Sequence, residues 1–244
     1  MVTWMFGTST PFSREIIKNL DNPVCFGRHN INYKDVHSFI EQHLGDYIQN
    51  RTDESTPLNI VFNINLNQDI GDKREVSETL DKFMNFFNDI GPNIFFCFKL
   101  LSELNRLKIP VRVCYVTSTF GNTSAYYEKS ALPLRSNGVI DNPYVDFKDQ
   151  HINSSFRYAT LRTAQQSAMT SNISETCRVL GVNPASLNDD TMPDYAKTIS
   201  KMLYAPFDDE QWNRIFCLES NVWYSHNTSD AMYEPPAPSI RYKK

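Results

Sequence analysis

Two tyrosine–base pairs in this chain have a spacing that could move protons: Tyr158 with Arg162, and Tyr144 with Lys148. A phenol, with an ordinary pKa of about 10, is a poor acid or base near neutrality unless a neighbouring cation stabilises its ionised form. Residues i and i+4 share one face of a helix, so Tyr158 and Arg162 can occupy one site. Tyr144 and Lys148 are followed at once by Asp149, Asn153, Ser154 and Ser155, a composition suited to a loop and a helix cap. The Tyr158 pair is therefore preferred. A second stretch has the types needed to hold a phosphate: the apolar run from Val2 to Phe6, the turn Gly7-Thr8-Ser9-Thr10-Pro11, then apolar positions at Phe12, Ile16, Ile17 and Leu20. This reads as strand, tight loop and helix. The unpaired N–H groups and positive dipole end of such a helix suit an anion.

The rest of the chain supplies elements to position these residues. Pro23 to Asn30 reads as a short strand ending in a turn that carries Arg28, where a cation would suit a ribose 2′-phosphate. Asp35 introduces a helix whose apolar positions are Val36, Phe39, Ile40, Leu44, Tyr47 and Ile48. Leu58 to Leu66 reads as a buried strand ending in asparagines, with Asn63 and Asn65 at the edge where parallel sheets bind ligands. Helical patterns follow over 75–90 and 93–108, broken by Gly91-Pro92; the second is apolar nearly all round and has to be covered on both sides. Val111 to Val116 is the clearest strand, and 122–155 is a long connection without period, of the kind that forms a lid or an insertion. Helix is expected again from Phe156 to about Cys177, strand from Arg178 to Val182 and helix from Pro193 to Leu203. Helix from Phe207 to Arg214 and a last strand from Ile215 to Val222 complete the expected order. This alternation predicts an α/β fold with a doubly wound parallel sheet, a Rossmann-like single domain over 1–228, and an extended C-terminal tail over 229–244.

In this order the chain resembles the short-chain dehydrogenase/reductase family. Phe6 to Arg14 sits where that family has its glycine loop, Asn63-Ile64-Asn65 at its Asn-Asn-Ala-Gly strand end, and Asn88 to Pro92 at its Asn-x-x-Gly-Pro. Thr117-Ser118 matches its Ser-Ser, Pro184-Ala185 its Pro-Gly, and Tyr158 to Arg162 its Tyr-x-x-x-Lys. The resemblance implies an NAD(P)-dependent oxidoreductase that transfers hydride to or from a carbonyl or alcohol. Tyr158 would be the acid/base, Ser118 would hydrogen-bond the substrate oxygen, and Asn88 would support the proton relay. Arg162 would bind the nicotinamide ribose and favour the tyrosinate. It further implies a cofactor-binding set of Gly7, Thr8, Ser9, Phe12, Arg28, Asn63 and Pro184, with NADP preferred through Arg28 and NAD also possible. The chain departs from the pattern at Pro11 and Ser13, which replace glycines, at Arg162, which replaces lysine, and in the long separation of Ser118 from Tyr158. The alternative is a non-catalytic Rossmann-like binding or assembly protein that has lost the cofactor; a sugar-nucleotide isomerase or epimerase ranks third.

Composition narrows the classes. At 244 residues, with 41% hydrophobic and 21% charged residues, the chain can bury a sizeable core and is neither disordered nor fibrous. A net charge of −4 offers no basic footprint for nucleic acid. No apolar run reaches the roughly 18 residues of a membrane span, and no charged segment followed by an apolar stretch opens the chain. A soluble, cytoplasmic protein acting on a small-molecule substrate is the expectation, with no membrane partner. A homo-oligomer through the helices at about 75–107 and 156–177 is also expected. Cys25, Cys97, Cys114, Cys177 and Cys217 stand singly in apolar runs and read as buried, reduced thiols; the five histidines have no ligand spacing, so no metal is expected.

Overall fold

The structure is a computed structural model, and it describes residues 1–27, 31–32, 35–63, 95–117, 174–184, 187, 189–209, 212–219, 222–227 and 240–243. β1 (Thr3–Phe6), α1 (Pro11–Lys18), β2 (Pro23–Phe26), α2 (Val36–Asn50) and β3 (Leu58–Phe62) alternate. Helical residues 95–106, here α3, lead into β4 (Val111–Val116). β5 (Cys177–Asn183), α4 (Met192–Leu203), β6 (Arg214–Glu219), β7 (Val222–Asn227) and β8 (Ile240–Lys243) complete the described order. All eight strands form one sheet in the order β2-β1-β3-β4-β5-β6-β7-β8. The first six are mutually parallel, while β7 and β8 are added antiparallel.

The inner parallel strands β1, β3, β4 and β5 are buried on both faces, as a sheet covered by helices requires, whereas the outermost strand β2 is partly exposed. On one face α2 and α3 cover Trp4, Phe6, Leu58, Ile60, Phe62, Val111, Val113 and Tyr115. On the other, α1 and α4 cover Met5, Val61, Cys114, Val116, Leu180 and Val182. The Phe6 ring lies within 5.0–5.7 Å, centroid to centroid, of Phe26, Phe39, Phe62 and Phe96, so three strands and two helices meet on one aromatic ring. The connection out of β1 through α1 and the connection out of β2 through α2 thus lie on opposite faces. β1 has β2 on one side and β3 on the other, which places a topological switch point between β1 and β3.

Several sequence expectations change. The last strand expected over 215–222 is a pair, β6 and β7, and within the expected tail Ile240–Lys243 pairs with β7 as β8. Of the helix expected over 207–214, the described residues 207–209 and 212–213 turn instead and Arg214 opens β6: the Trp212 indole N–H donates to Pro206 O at 2.6 Å. Asn213, at φ 64°, directs its N–H onto Val179 O at 2.7 Å. These ties pull the backbone towards the sheet edge. The helix expected to run to about Cys177 does not include Ser174–Thr176, which turn, nor Cys177, which opens β5; 156–173 lie outside the described residues. On α2, Ile48 points outward and is exposed, because it lies roughly 100° around the helix from buried Tyr47. On α3 the buried residues Phe96, Cys97, Leu100, Leu101 and Leu104 form one face, leaving Phe95 69% exposed rather than covered. Cys97, Cys114 and Cys177 are buried thiols, with burial pushing Cys177 up to about 12, but Cys25 is exposed on the outermost strand β2.

Candidate functional site

The C-terminal ends of β1, β3, β4 and β5 lie side by side; β1 is followed by Gly7, and the other three carry polar residues, Asn63 after β3, Thr117 after β4 and Asn183 at the end of β5. Gly7 continues the strand by donating its N–H to Phe26 O at 3.0 Å and then turns with φ 83°, a conformation that side chains with a Cβ resist. The chain passes through half-buried Thr8 and exposed Ser9 into α1. Thr10 is the N-cap: its hydroxyl accepts the Ser13 N–H at 3.0 Å, and Pro11 follows with the backbone angle a first helical position needs.

Ser13 holds this loop together. Its side chain is fully buried, and its hydroxyl donates to Gly7 O at 2.6 Å. The same oxygen accepts Asn63 Nδ2 at 2.8 Å and lies 2.7 Å from the Thr10 hydroxyl. With Ser13's proton given to Gly7 O, the Thr10 hydroxyl donates to Ser13. Asn63 is anchored in turn by its own N–H on Phe6 O at 3.0 Å. The loop is therefore tied to the ends of both strands that flank the switch point. Further along the edge, the Thr117 hydroxyl donates to Asn183 Oδ1 and its N–H to Val182 O at 2.9 Å, with Pro184 buried next to them.

Of the cofactor-binding set expected from sequence, Gly7, Thr8, Ser9 and Asn63 are brought together at the switch point, and Pro184 stands at the end of β5. The Phe12 side chain packs into the core with α4, which leaves its backbone N–H as the part that can face the loop. Arg28 and the four expected catalytic residues, Asn88, Ser118, Tyr158 and Arg162, lie outside the described residues, as do 122–155 and the rival pair at Tyr144 and Lys148. Thr10, Thr117 and Asn183 were not in the expected set; for Thr10 the signal was present, a threonine directly before a proline at a helix start. Among the described residues no cluster of three or more His, Cys, Asp or Glu could hold a metal ion, and no helix is long and apolar enough to cross a membrane.

The loop fits a bound phosphate group. Gly7 turns at φ 83°, the hydroxyl residues Thr8 and Ser9 follow it, and the first turn of α1 carries no acidic residue but does carry exposed Arg14. Pro11 has no N–H and the Ser13 N–H is capped, so Phe12 contributes the remaining amide of the first helical turn.

No family model matches this chain, and no curated protein matches it by sequence. Solved structures do. A short-chain dehydrogenase from Streptomyces avermitilis superposes with a TM-score of 0.55 at 13% identity, over 95% of this chain and 92% of that one. One from Mycobacterium avium gives 0.53 at 10% identity, over 98% and 87%. Serine dehydrogenase from Escherichia coli gives 0.51 at 11% identity, over 84% and 92%. At these identities the likeness is one of architecture: the chain has the Rossmann-like α/β fold of the short-chain dehydrogenases.

Proposed function

We propose that the chain binds a nicotinamide dinucleotide, NADP in preference to NAD, at the β1–α1 loop and acts as an oxidoreductase on a carbonyl or alcohol. The observation that carries this reading is the glycine turn at the end of β1, entering a capped helix N-terminus at the switch point of a parallel sheet. Gly7 to Phe12 and Arg14 would hold the diphosphate, and Arg28 would select the 2′-phosphate. When bound, the nicotinamide supplies or accepts the hydride. Tyr158 exchanges the proton with the substrate oxygen, and Arg162, one turn on, stabilises the tyrosinate. Ser118 hydrogen-bonds that oxygen, and Asn88 supports the proton's path to water. The substrate is a small molecule, and the active unit is a homo-oligomer in the cytoplasm.

The second reading, a scaffold that has lost the cofactor, draws on Ser13. Its Cβ and hydroxyl occupy a place where the resembled family has glycine, and the hydroxyl is consumed within the protein. Titration with NADPH decides between the two. The oxidoreductase reading expects a rise in thermal midpoint and a change in cofactor fluorescence at micromolar to millimolar NADPH, with turnover abolished in Tyr158→Phe while NADPH binding persists. Absence of any NADPH response at millimolar concentration overturns it.

A further inference from the structure

A cavity of about 450 Å³ opens between the outermost strand β2 and α2, at the N-terminal ends of β1 and β2. Its floor is apolar. Val2 and Trp4 alternate onto one face of the sheet, and Val24 is the register partner of Trp4 on β2, so the three side chains share the face that α2 covers. Its wall is polar. His43, Asp46 and Asn50 follow one another along α2 at i, i+3 and i+7, one face of a helix, and Asn22 adds to them from the turn before β2. The rim is accessible, since Asn22, Val24, Asp46 and Asn50 are all exposed. His43 is seated by its ring, whose centroid lies 4.9 Å from that of Phe26 and 4.7 Å from that of Phe39. None of these residues belongs to the β1–α1 loop, which leaves β1 at its other, C-terminal end.

The groups on the wall are matched to a donor. Asn22 Nδ2 donates to Met1 O at 3.3 Å and Asn50 Nδ2 to Asp46 O at 2.7 Å, so each carboxamide spends an N–H within the protein and keeps its Oδ1 as an acceptor. Among the described residues Asp46 is in no ion pair; the pairs there join Lys18 to Glu15, Arg51 to Glu54 and Arg106 to Glu103. Among the same residues no lysine or arginine lines the cavity. Burial holds the His43 imidazole below its ordinary pKa, against the pull of Asp46, so near neutrality it adds a lone pair rather than a positive charge. We infer that this cavity binds a small amphipathic organic amine, its ammonium group on Asp46 and its apolar body against Val24 and Val2. An ammonium carries only N–H donors, which is what a carboxylate and two carboxamide oxygens can accept, and the ion pair makes those bonds charge-assisted. A carboxylate or phosphate ligand would instead meet Asp46 with like charge. The volume lies within the roughly 300–1,000 Å³ of small-molecule sites, and an apolar floor with a few placed polar groups is their usual lining.

The test uses the full chain at neutral pH and constant ionic strength, with three probes of one shape: phenethylamine, phenethyl alcohol and phenylacetate. Isothermal titration calorimetry measures binding. Wild type is expected to bind phenethylamine saturably in the millimolar range or tighter, and each of the other two at least about ten-fold more weakly, because only the ammonium makes charge-assisted bonds. Asp46→Asn should weaken phenethylamine binding at least about ten-fold. Val24→Trp, which fills the floor from the exposed strand, should do the same. Glu41→Gln removes the same charge from an exposed position of α2 outside the cavity and should leave binding as in wild type. In the wild-type chain the His43 ring resonances, identified by their loss in His43→Gln, should shift as phenethylamine is added. Lack of binding by wild type overturns the proposal, and so does equal binding of the alcohol or the carboxylate. Unchanged binding in Asp46→Asn or Val24→Trp overturns it as well, as does an unmoved His43 resonance. A loss in Glu41→Gln as large as in Asp46→Asn would overturn it too, since the amine would then be responding to the acidity of α2 and not to the cavity.

Discussion

Ser13 is the residue on which the candidate dinucleotide loop turns. From sequence it counted only as a glycine lost, a Cβ in the way of a phosphate. In the fold its hydroxyl joins Gly7 O, Thr10 and Asn63, and so connects the loop to the ends of β1 and β3. Buried hydroxyls in closed networks contribute through the cost of leaving their partners unsatisfied. Ser13→Ala is therefore expected to lower the unfolding free energy by about 1–3 kcal/mol in urea denaturation. Asn63→Ala should cost clearly less in the Ser13→Ala background than in wild type. Additive losses would show that the two side chains act independently.

Helices α1 and α2 announce their starts with capping side chains, and α2 does so with a titratable group. Asp35 accepts the Ser38 N–H at 3.0 Å and the Ser38 hydroxyl at 2.7 Å, and these bonds hold its carboxyl below the usual carboxylate range. A carboxyl depressed in the folded state contributes stability that is complete above its unfolded value, and that fades as pH falls through the folded value. Asp35→Asn should thus be less stable than wild type at neutral pH, with the difference shrinking to nothing in acid, as read from urea midpoints between about pH 2 and 7. A difference that persists unchanged into acid would remove the charge from the explanation. The same capping logic made α1 legible, since Thr10-Pro11 marks its first turn. Residues 207–214 misled because their anchors, the Trp212 indole on Pro206 and the Asn213 N–H on Val179, are contacts outside the local pattern.

At the scale of the molecule, the two faces of the sheet differ in what they can tolerate. The α2/α3 side is filled by aromatic rings centred on Phe6, and interiors packed at crystal density relax only partly when a large group is removed. Phe6→Ala is expected to destabilise by about 3–5 kcal/mol. Phe95→Ala, on the outward face of α3, should stay within about 0.5 kcal/mol of wild type, and a large loss there would place Phe95 in an interface of the homo-oligomer expected from sequence. The other side carries the Ser13 network at the C-terminal end of the sheet, where α1 and α4 cover it.

The amino-acid sequence by itself determined the alternation of strand and helix, and with it the α/β class and the resemblance in fold that solved structures bear out. It did so because a strand buried on both faces is a largely apolar run, broken only by Asn59 in Leu58–Phe62 and only by Arg112 in Val111–Val116, and because caps and prolines act within a few residues. It also located Gly7 and Asn63 at strand ends. Only the tertiary structure decided that Asn63 reaches Ser13, and that Thr3, Asn59, Arg112 and Arg178 form one row. It also decided that the sheet runs β2-β1-β3-β4-β5-β6-β7-β8 with its last two strands reversed. Each of these depends on which strands become neighbours and in what register, and pairing between distant segments leaves no trace in local periodicity.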